Sequence, residues 1–438
     1  MNGSSWLFKR HWLDPNYGYC QWEGVECTPN TTSVSALNLD SNQLAGVIPS
    51  SLANLTSLDT LMLGNNYITG DIPSSFASLQ RLTTLDLHNN SLDNLDGLAG
   101  LTNLRVLLMQ SVGFGLSYST SFLGNLTQLR YLDLSGNVLY KIPAEVSSMQ
   151  YLTNLFLSNN RISSLQPLAG LSNLRLLDIS KNTKAGPTLE FTESLSSLTS
   201  LTELDLSRSK ADPISAPHIL WDLPLQNLIS LRLSYVIIND TFPPSFFPSL
   251  YNVAELNLVG AHMRGEIPSD IDETAALQEL SIQENFFEGT PPESLWNIWA
   301  LRVFNVTHNQ LSGSLSSNIS KLQNLKNLDA AFNRFDGNIP DLSNLTNLVT
   351  LNLKSNRLTG AVPNELPLLP QLEVVNLANN CLSGELGGNF NFMEGQLQFL
   401  DLSNNNLSGS LPVLGGNSQV THVVRARPFH TSAFCQAP

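Results

Sequence analysis

Leu397-Gln398-Phe399-Leu400-Asp401-Leu402-Ser403-Asn404-Asn405-Asn406-Leu407-Ser408-Gly409-Ser410-Leu411-Pro412 is one copy of a sentence that recurs through most of the 438-residue chain. Its spelling is L-x-x-L-x-L-x-x-N-x-L-x-G-x-I-P. Copies start at Val34, Leu58, Leu82, Leu104, Leu129, Leu152, Leu174, Leu201, Leu228, Val253, Leu277, Leu301, Leu325, Leu348, Leu372 and Leu397, mostly 24 residues apart. A fixed period of this size means stacked repeats, each too small to bury its apolar side alone.

The copy at Leu58 shows how one unit works. Residues two apart on a strand share a face, so Leu61 and Leu63 turn inward while Thr60, Met62 and Gly64 turn outward. Asn66 follows; its amide both donates and accepts, which suits a buried turn whose backbone has no sheet partner. The same Asn stands at positions 42, 66, 90, 137, 160, 182, 285, 309, 333, 356, 380 and 405. Gly70 then allows a turn, Ile72 points inward again, and Pro73 needs no ladder donor. The expected fold is an α/β solenoid of about sixteen coils: a right-handed curved superhelix with a parallel β-sheet on its concave face and loop or 3-10 turns on its convex face. At roughly 4.8 Å per strand, the stack would run on the order of 75 Å.

Residues 34–415 form the repeats, preceded by a cap over 1–33 and followed by a tail or degenerate cap over 416–438. In the cap, Cys20-Gln21-Trp22-Glu23-Gly24-Val25-Glu26-Cys27 is the informative stretch. The first coil of a solenoid exposes its core, and a Cys20–Cys27 disulfide with Trp22 packed on the open end would cover it. The alternatives are two free thiols or half of a metal site; no His or second Cys pair lies at ligand spacing nearby. Toward the other end, Cys381 and Cys435 are a possible second pair, a connectivity the sequence leaves open.

C-x-W-x-G-V-x-C followed by these repeats resembles the ectodomains of plant-type leucine-rich repeat receptor-like kinases and receptor-like proteins, over residues 20 to about 415. The resemblance implies an extracellular recognition module that binds a peptide or protein ligand on its concave face for signalling in development or defence, with a co-receptor or kinase partner. It implies a place on the outer face of the plasma membrane or in the cell wall. Family members ordinarily begin with a signal peptide and a helical segment, whereas Met1–Arg10 lacks an apolar signal core, which points to a truncated or mis-started N-terminus. Two other readings stay open: a secreted inhibitor of a cell-wall hydrolase, similar to the polygalacturonase-inhibiting proteins, and an intracellular interaction scaffold.

A formal net charge of −14 argues against nucleic acid or anionic membrane as the main partner. Asn-x-Ser/Thr triplets begin at Asn2, Asn30, Asn54, Asn89, Asn125, Asn239, Asn305, Asn318, Asn344 and Asn406, which with the cysteines favours an exported chain. A glycan on Asn305, an outward strand position, would block the concave face of its coil. No cofactor or metal is expected, and nothing reads as catalytic. Asp86 with His88 and Asp205 with Ser207 suggest a hydrolytic constellation, but Asp recurs at that strand position as part of the repeat.

From 82 to 252 the pattern loosens. Val112, Ser209, Val236 and Ala261 replace the ladder Asn, a long insertion runs from Lys210 to Pro224, and Leu92–Leu98 parallels Ile162–Leu168. Outward positions that depart from small or polar residues gather here: Leu108, Gln110, Tyr131, Phe156, Leu176, Lys181, Arg208, Arg232 and Tyr235, then Glu255 and Glu279. Tyr, Phe and Arg are residue types that often dominate binding energy, so these are the expected ligand contacts, with the acidic residues orienting a basic peptide.

Overall fold

A computed structural model describes residues 6–29, 32–115, 119–182, 193–209, 226–244, 246–386 and 397–408, with backbone alone at 193 and 422–424. The Lys210–Pro224 insertion, Asn2, Asn30 and Cys435 lie outside the described residues. The chain divides into two compact units, Met1–Pro224 and Leu225–Pro438.

In the first unit, Val34–Asn38, Thr60–Met62, Thr84–Asp86, Val106–Leu108, Tyr131–Asp133, Asn154–Phe156, Leu176–Asp178 and Glu203–Asp205 pair in parallel, each with the next and in uninterrupted register. One leucine of each faces inward, and Leu37, Leu61, Leu85, Leu107, Leu132, Leu155, Leu177 and Leu204 are buried. The second unit repeats this from Ser230–Arg232 through Glu255–Asn257, Glu279–Ser281, Val303–Asn305, Asn327–Asp329, Thr350–Asn352, Val374–Asn376 and Phe399–Asp401. Short second ribbons form where the glycine-isoleucine-proline element stands, as in Ala45–Val47 beside Tyr67–Asp71. The opposite side carries 3-10 turns such as Ser74–Ser78 and Ser317–Lys321. One α-helical turn, Phe246–Ser249, is present among the described residues. These are the elements of the expected parallel-sheet solenoid.

The buried asparagines stitch coil to coil. Asn66 donates from Nδ2 to the carbonyls of Leu63 (2.9 Å) and Gly64 (2.7 Å) in its own coil and of Leu39 (2.9 Å) in the preceding one. Its Oδ1 accepts from the N–H of Asn42 (3.1 Å) and Leu44 (2.8 Å). One side chain thus satisfies backbone groups of two coils that no strand pairs. Where Asn is missing, Ser209 does part of the same work: its hydroxyl donates to Ile179 O at 2.7 Å and accepts from Asn182 N–H at 3.3 Å. Val236 and Ala261 bring no such group and are fully buried instead.

Asn42 has no preceding coil, and the N-terminal segment replaces one. Phe8 N–H donates to Asn42 Oδ1 (2.6 Å) and Asn42 Nδ2 donates to Phe8 O (3.0 Å). Trp12 packs between Trp6 and Trp22, with ring centroids 5.1 and 4.8 Å away, and its Nε1 donates to Glu23 O at 2.8 Å. Cys20 and Cys27 are disulfide-bonded. Gly24 has φ +81°, and a Cβ there would sit 2.1 Å from Asn38 O; the strand Val25–Cys27 could not otherwise lie antiparallel against Val34–Asn38. Cys381 is also disulfide-bonded.

Leu92–Leu98 and Ile162–Leu168 close alike. Leu95 (φ −112°, ψ 1°) and Leu165 (φ −101°, ψ 4°) both lead straight into a 3-10 turn.

Candidate ligand-binding face

Parallel register turns the outward residues of each unit into rows. In the first unit, one row reads Val106, Tyr131, Asn154, Leu176, Glu203, and the next reads Leu108, Asp133, Phe156, Asp178, Asp205. A third, beyond the strand ends, holds Gln110, Ser135, Ser158, Ser180 and Ser207. Tyr131 and Phe156 therefore meet diagonally across neighbouring strands, with ring centroids 5.1 Å apart and planes tilted by 34°. Leu108, Gln110, Leu176 and both rings are half-buried on this face, so five of the expected contacts form one patch.

The patch is acidic. Asp133 and Asp178 flank Phe156 in its row, one strand to either side. Burial pushes the Asp133 carboxyl above the ordinary carboxylate value, and the Asp178 charge adds to this; hydrogen bonds from Ser135 and Gln110 pull the other way. Gln110 Nε2 donates to Asp133 Oδ2 at 2.5 Å, which leaves Gln110 Oε1 buried without a partner among the described residues. Burial, and then the Asp133 charge, raise the Tyr131 phenol. Neither Asp133 nor Asp178 is in an ion pair among the described residues.

Lys181, Arg208 and Tyr235 sit elsewhere than strand alternation suggests. Each is the residue just before the ladder position and adopts a left-handed backbone, with φ of 60°, 56° and 59°. The chain is already turning there, so all three project exposed from the rim of the sheet.

In the second unit, Arg232 is already engaged. Its Nε donates to Glu255 Oε1 at 2.6 Å, its Nη2 donates to Glu255 Oε2, and Ser230 Oγ donates to the same carboxylate at 2.9 Å. Glu279 lies beside Glu255 in register and accepts from Ser281 Oγ. The Tyr235 ring covers Gly260, where a Cβ would meet Cδ1 at 2.6 Å, and its hydroxyl donates to Glu284 Oε2 at 3.2 Å.

Two groupings escaped the strand-pattern reading. On the rim of the second unit, His308 stacks on Phe332 at 4.2 Å, and Lys354 Nζ lies 5.7 Å from the Phe332 centroid. Both rings stand at left-handed positions (φ 56° and 54°), an uncommon place for bulky side chains. The signal was present in the residue before each ladder Asn, usually Asn, Ser or Gly. In the first unit, Gly64 leaves a gap across which Asp40 approaches Asp86 and His88, with ligand atoms all within 4.8 Å. His88 Nδ1 and Asp86 Oδ1 are 2.6 Å apart.

The glycosylation candidates fall into two groups. Asn89, Asn125, Asn239 and Asn318 use their side chains within the fold, for instance Asn318 Nδ2 donating to Glu293 Oε2 at 2.8 Å. Asn54, Asn344 and Asn406 are exposed, as are Asn89, Asn125 and Asn239 of the first group. Asn305 is half-buried on the sheet face, where its Oδ1 accepts from Thr307 N–H (3.2 Å) and Oγ (2.9 Å).

Family models for leucine-rich repeats match residues 89–292 (a leucine-rich repeat region), 32–92 and 56–111, and the stretches 300–322, 347–369 and 396–417. Receptor-like protein 18 of Arabidopsis thaliana is 30% identical over 289 residues, 64% of this chain and 32% of that protein. The chain thus spans about a third of the length of such relatives. Among solved structures, the plant peptide hormone receptor RGFR1 in complex with RGF2 is similar with a TM-score of 0.70 and 27% identity, covering 90% of this chain and 65% of that one. A TDR receptor structure is similar with a TM-score of 0.69 and 27% identity, covering 86% and 69%. No helix among the described residues is long and apolar enough to cross a membrane. With its tandem repeats and these matches, the chain belongs to the leucine-rich repeat family, and it is similar to plant receptor-like proteins and a plant peptide hormone receptor.

Proposed function

We propose that this chain is the extracellular ligand-recognition portion of a receptor-like protein or receptor-like kinase, and that it binds a peptide on its sheet face. The observation that carries this is the half-buried Tyr131–Phe156 pair, held 5.1 Å apart on a rigid parallel sheet amid Leu108, Gln110 and Leu176. Such a pair offers large contact area at low entropic cost. The peptide hormone complex of RGFR1, which has a similar fold, supports a peptide as the ligand class. Signalling then falls to a co-receptor or kinase partner, and the site of action is the outer face of the plasma membrane or the cell wall.

The test is to pan the purified chain against a displayed library of secreted-type peptides and map the bound state by hydrogen exchange. Protection over strands within 106–205 is the expected result. Protection confined to the 3-10 side would overturn the reading.

A further inference from the structure

Phe156 does not stand in a neutral row. Asp178, half-buried, and Asp133, only 6% exposed, stand on the strands to either side of it, two strand spacings or roughly 9.6 Å apart; Asp133 already accepts from Ser135 N–H and Oγ and from Gln110 Nε2. The Asp178 charge is felt at Asp133, so the two negative groups act on each other across the ring between them. Neither is neutralised by a cation of the described residues, in contrast to Glu255, which Arg232 occupies in the second unit. The Tyr131 ring closes one side, 5.1 Å from Phe156.

We propose that Asp133, Phe156 and Asp178, with Tyr131, form an anchoring subsite for an arginine side chain of the bound peptide; this rests on the peptide-binding reading of the same face. A guanidinium is planar and carries five N–H donors in a fixed fork. Stacked over Phe156, it gains cation–π attraction while one edge donates to the half-buried Asp178 carboxylate and the other faces the buried Asp133 charge. A lysine ammonium is a compact charge and engages one carboxylate at a time. The geometry therefore selects arginine over lysine, and both over a neutral isostere.

The probes are blocked pentapeptides, N-acetylated and C-amidated Gly-Gly-X-Gly-Gly, with X arginine, lysine or citrulline, titrated against the intact chain by saturation-transfer NMR. Citrulline keeps the shape of arginine without its charge. Arginine should bind at least tenfold more tightly than citrulline and about threefold more tightly than lysine, with affinity falling as salt rises. Asp178→Asn should weaken the arginine peptide at least fivefold and leave citrulline unchanged. Asp178 makes one backbone contact, from Ser180 N–H at 2.8 Å, which an asparagine oxygen can keep, so the variant should melt like wild type. Equal binding of arginine and citrulline, no effect of Asp178→Asn, or no binding of any probe overturns the arginine subsite. Library-selected peptides that remain sensitive to Phe156→Ala would then show that the binding face survives without it; insensitivity there would sink the face reading itself.

Discussion

Replacing Asn66 by alanine removes five hydrogen bonds at once, and the structure says which losses count. The Leu63 carbonyl keeps a bond from Asn90 Nδ2 at 2.9 Å, and the Gly64 carbonyl keeps one from Ser41 N–H at 3.0 Å. The Leu39 carbonyl and the N–H groups of Asn42 and Leu44 keep nothing equivalent among the described residues, and both Asn42 and Leu44 are fully buried. Each of these three buried orphans costs about 1–2 kcal/mol, so Asn66→Ala should destabilise the first unit by about 3–6 kcal/mol, among the larger effects of single substitutions. Urea denaturation followed by circular dichroism gives the total, and hydrogen exchange locates it; the loss of protection should centre on residues 36–68. Asn344→Ala, on an exposed turn, is the control and should stay within about 0.5 kcal/mol. A loss below about 1 kcal/mol for Asn66→Ala would mean that water replaces the amide, and the ladder would not be what ties the coils.

Removing the cap disulfide with Cys20→Ala and Cys27→Ala reopens a loop of sequence separation 7 and should cost about 2–3 kcal/mol by chain entropy, read as a lower melting temperature with early exchange at the cap. Asp133 has a raised carboxyl, so the folded state holds its proton more tightly than the unfolded chain. Its burial therefore opposes folding above that raised value, and the penalty disappears as pH falls through the unfolded value near 3.9. Asp133→Asn should be more stable than wild type at pH 7, with the advantage shrinking toward pH 4 in parallel urea titrations; an advantage that grows in acid would refute the assignment. Gly64→Ala places a Cβ 2.1 Å from His88 Nδ1, so it should break the His88–Asp86 contact, visible in the imidazole NMR signals, with little change in overall stability because the ring can swing away.

Most of the architecture was written in the period. Spacing near 24 residues, the L-x-L strand and the ladder Asn lead directly to parallel coils, because each is a local requirement repeated in every unit. Gly24 was legible only as part of a motif; the reason for it, a close approach to Asn38 O, needed the antiparallel cap strand. The Tyr131–Phe156 contact follows once register is known. Lys181, Arg208 and Tyr235 stand one residue off the strand alternation, in the left-handed turn before the ladder position, so where they point could be read only once that turn was seen. The Arg232–Glu255 pair was hidden for another reason: it joins residues 23 apart in sequence, and only neighbouring coils bring them together. What the rim positions do was equally invisible, since Phe332 and His308 stack between coils rather than within one.

The central claim, that the first unit's sheet face recognises a peptide, is tested most directly by one comparison: the dissociation constant of a library-selected peptide for the wild-type chain and for Tyr131→Ala with Phe156→Ala. Both rings are half-buried outward side chains, so the fold should survive their removal and melting should change little. The account predicts binding at least tenfold weaker, about 1.4 kcal/mol or more. An unchanged dissociation constant in a folded double variant would contradict it.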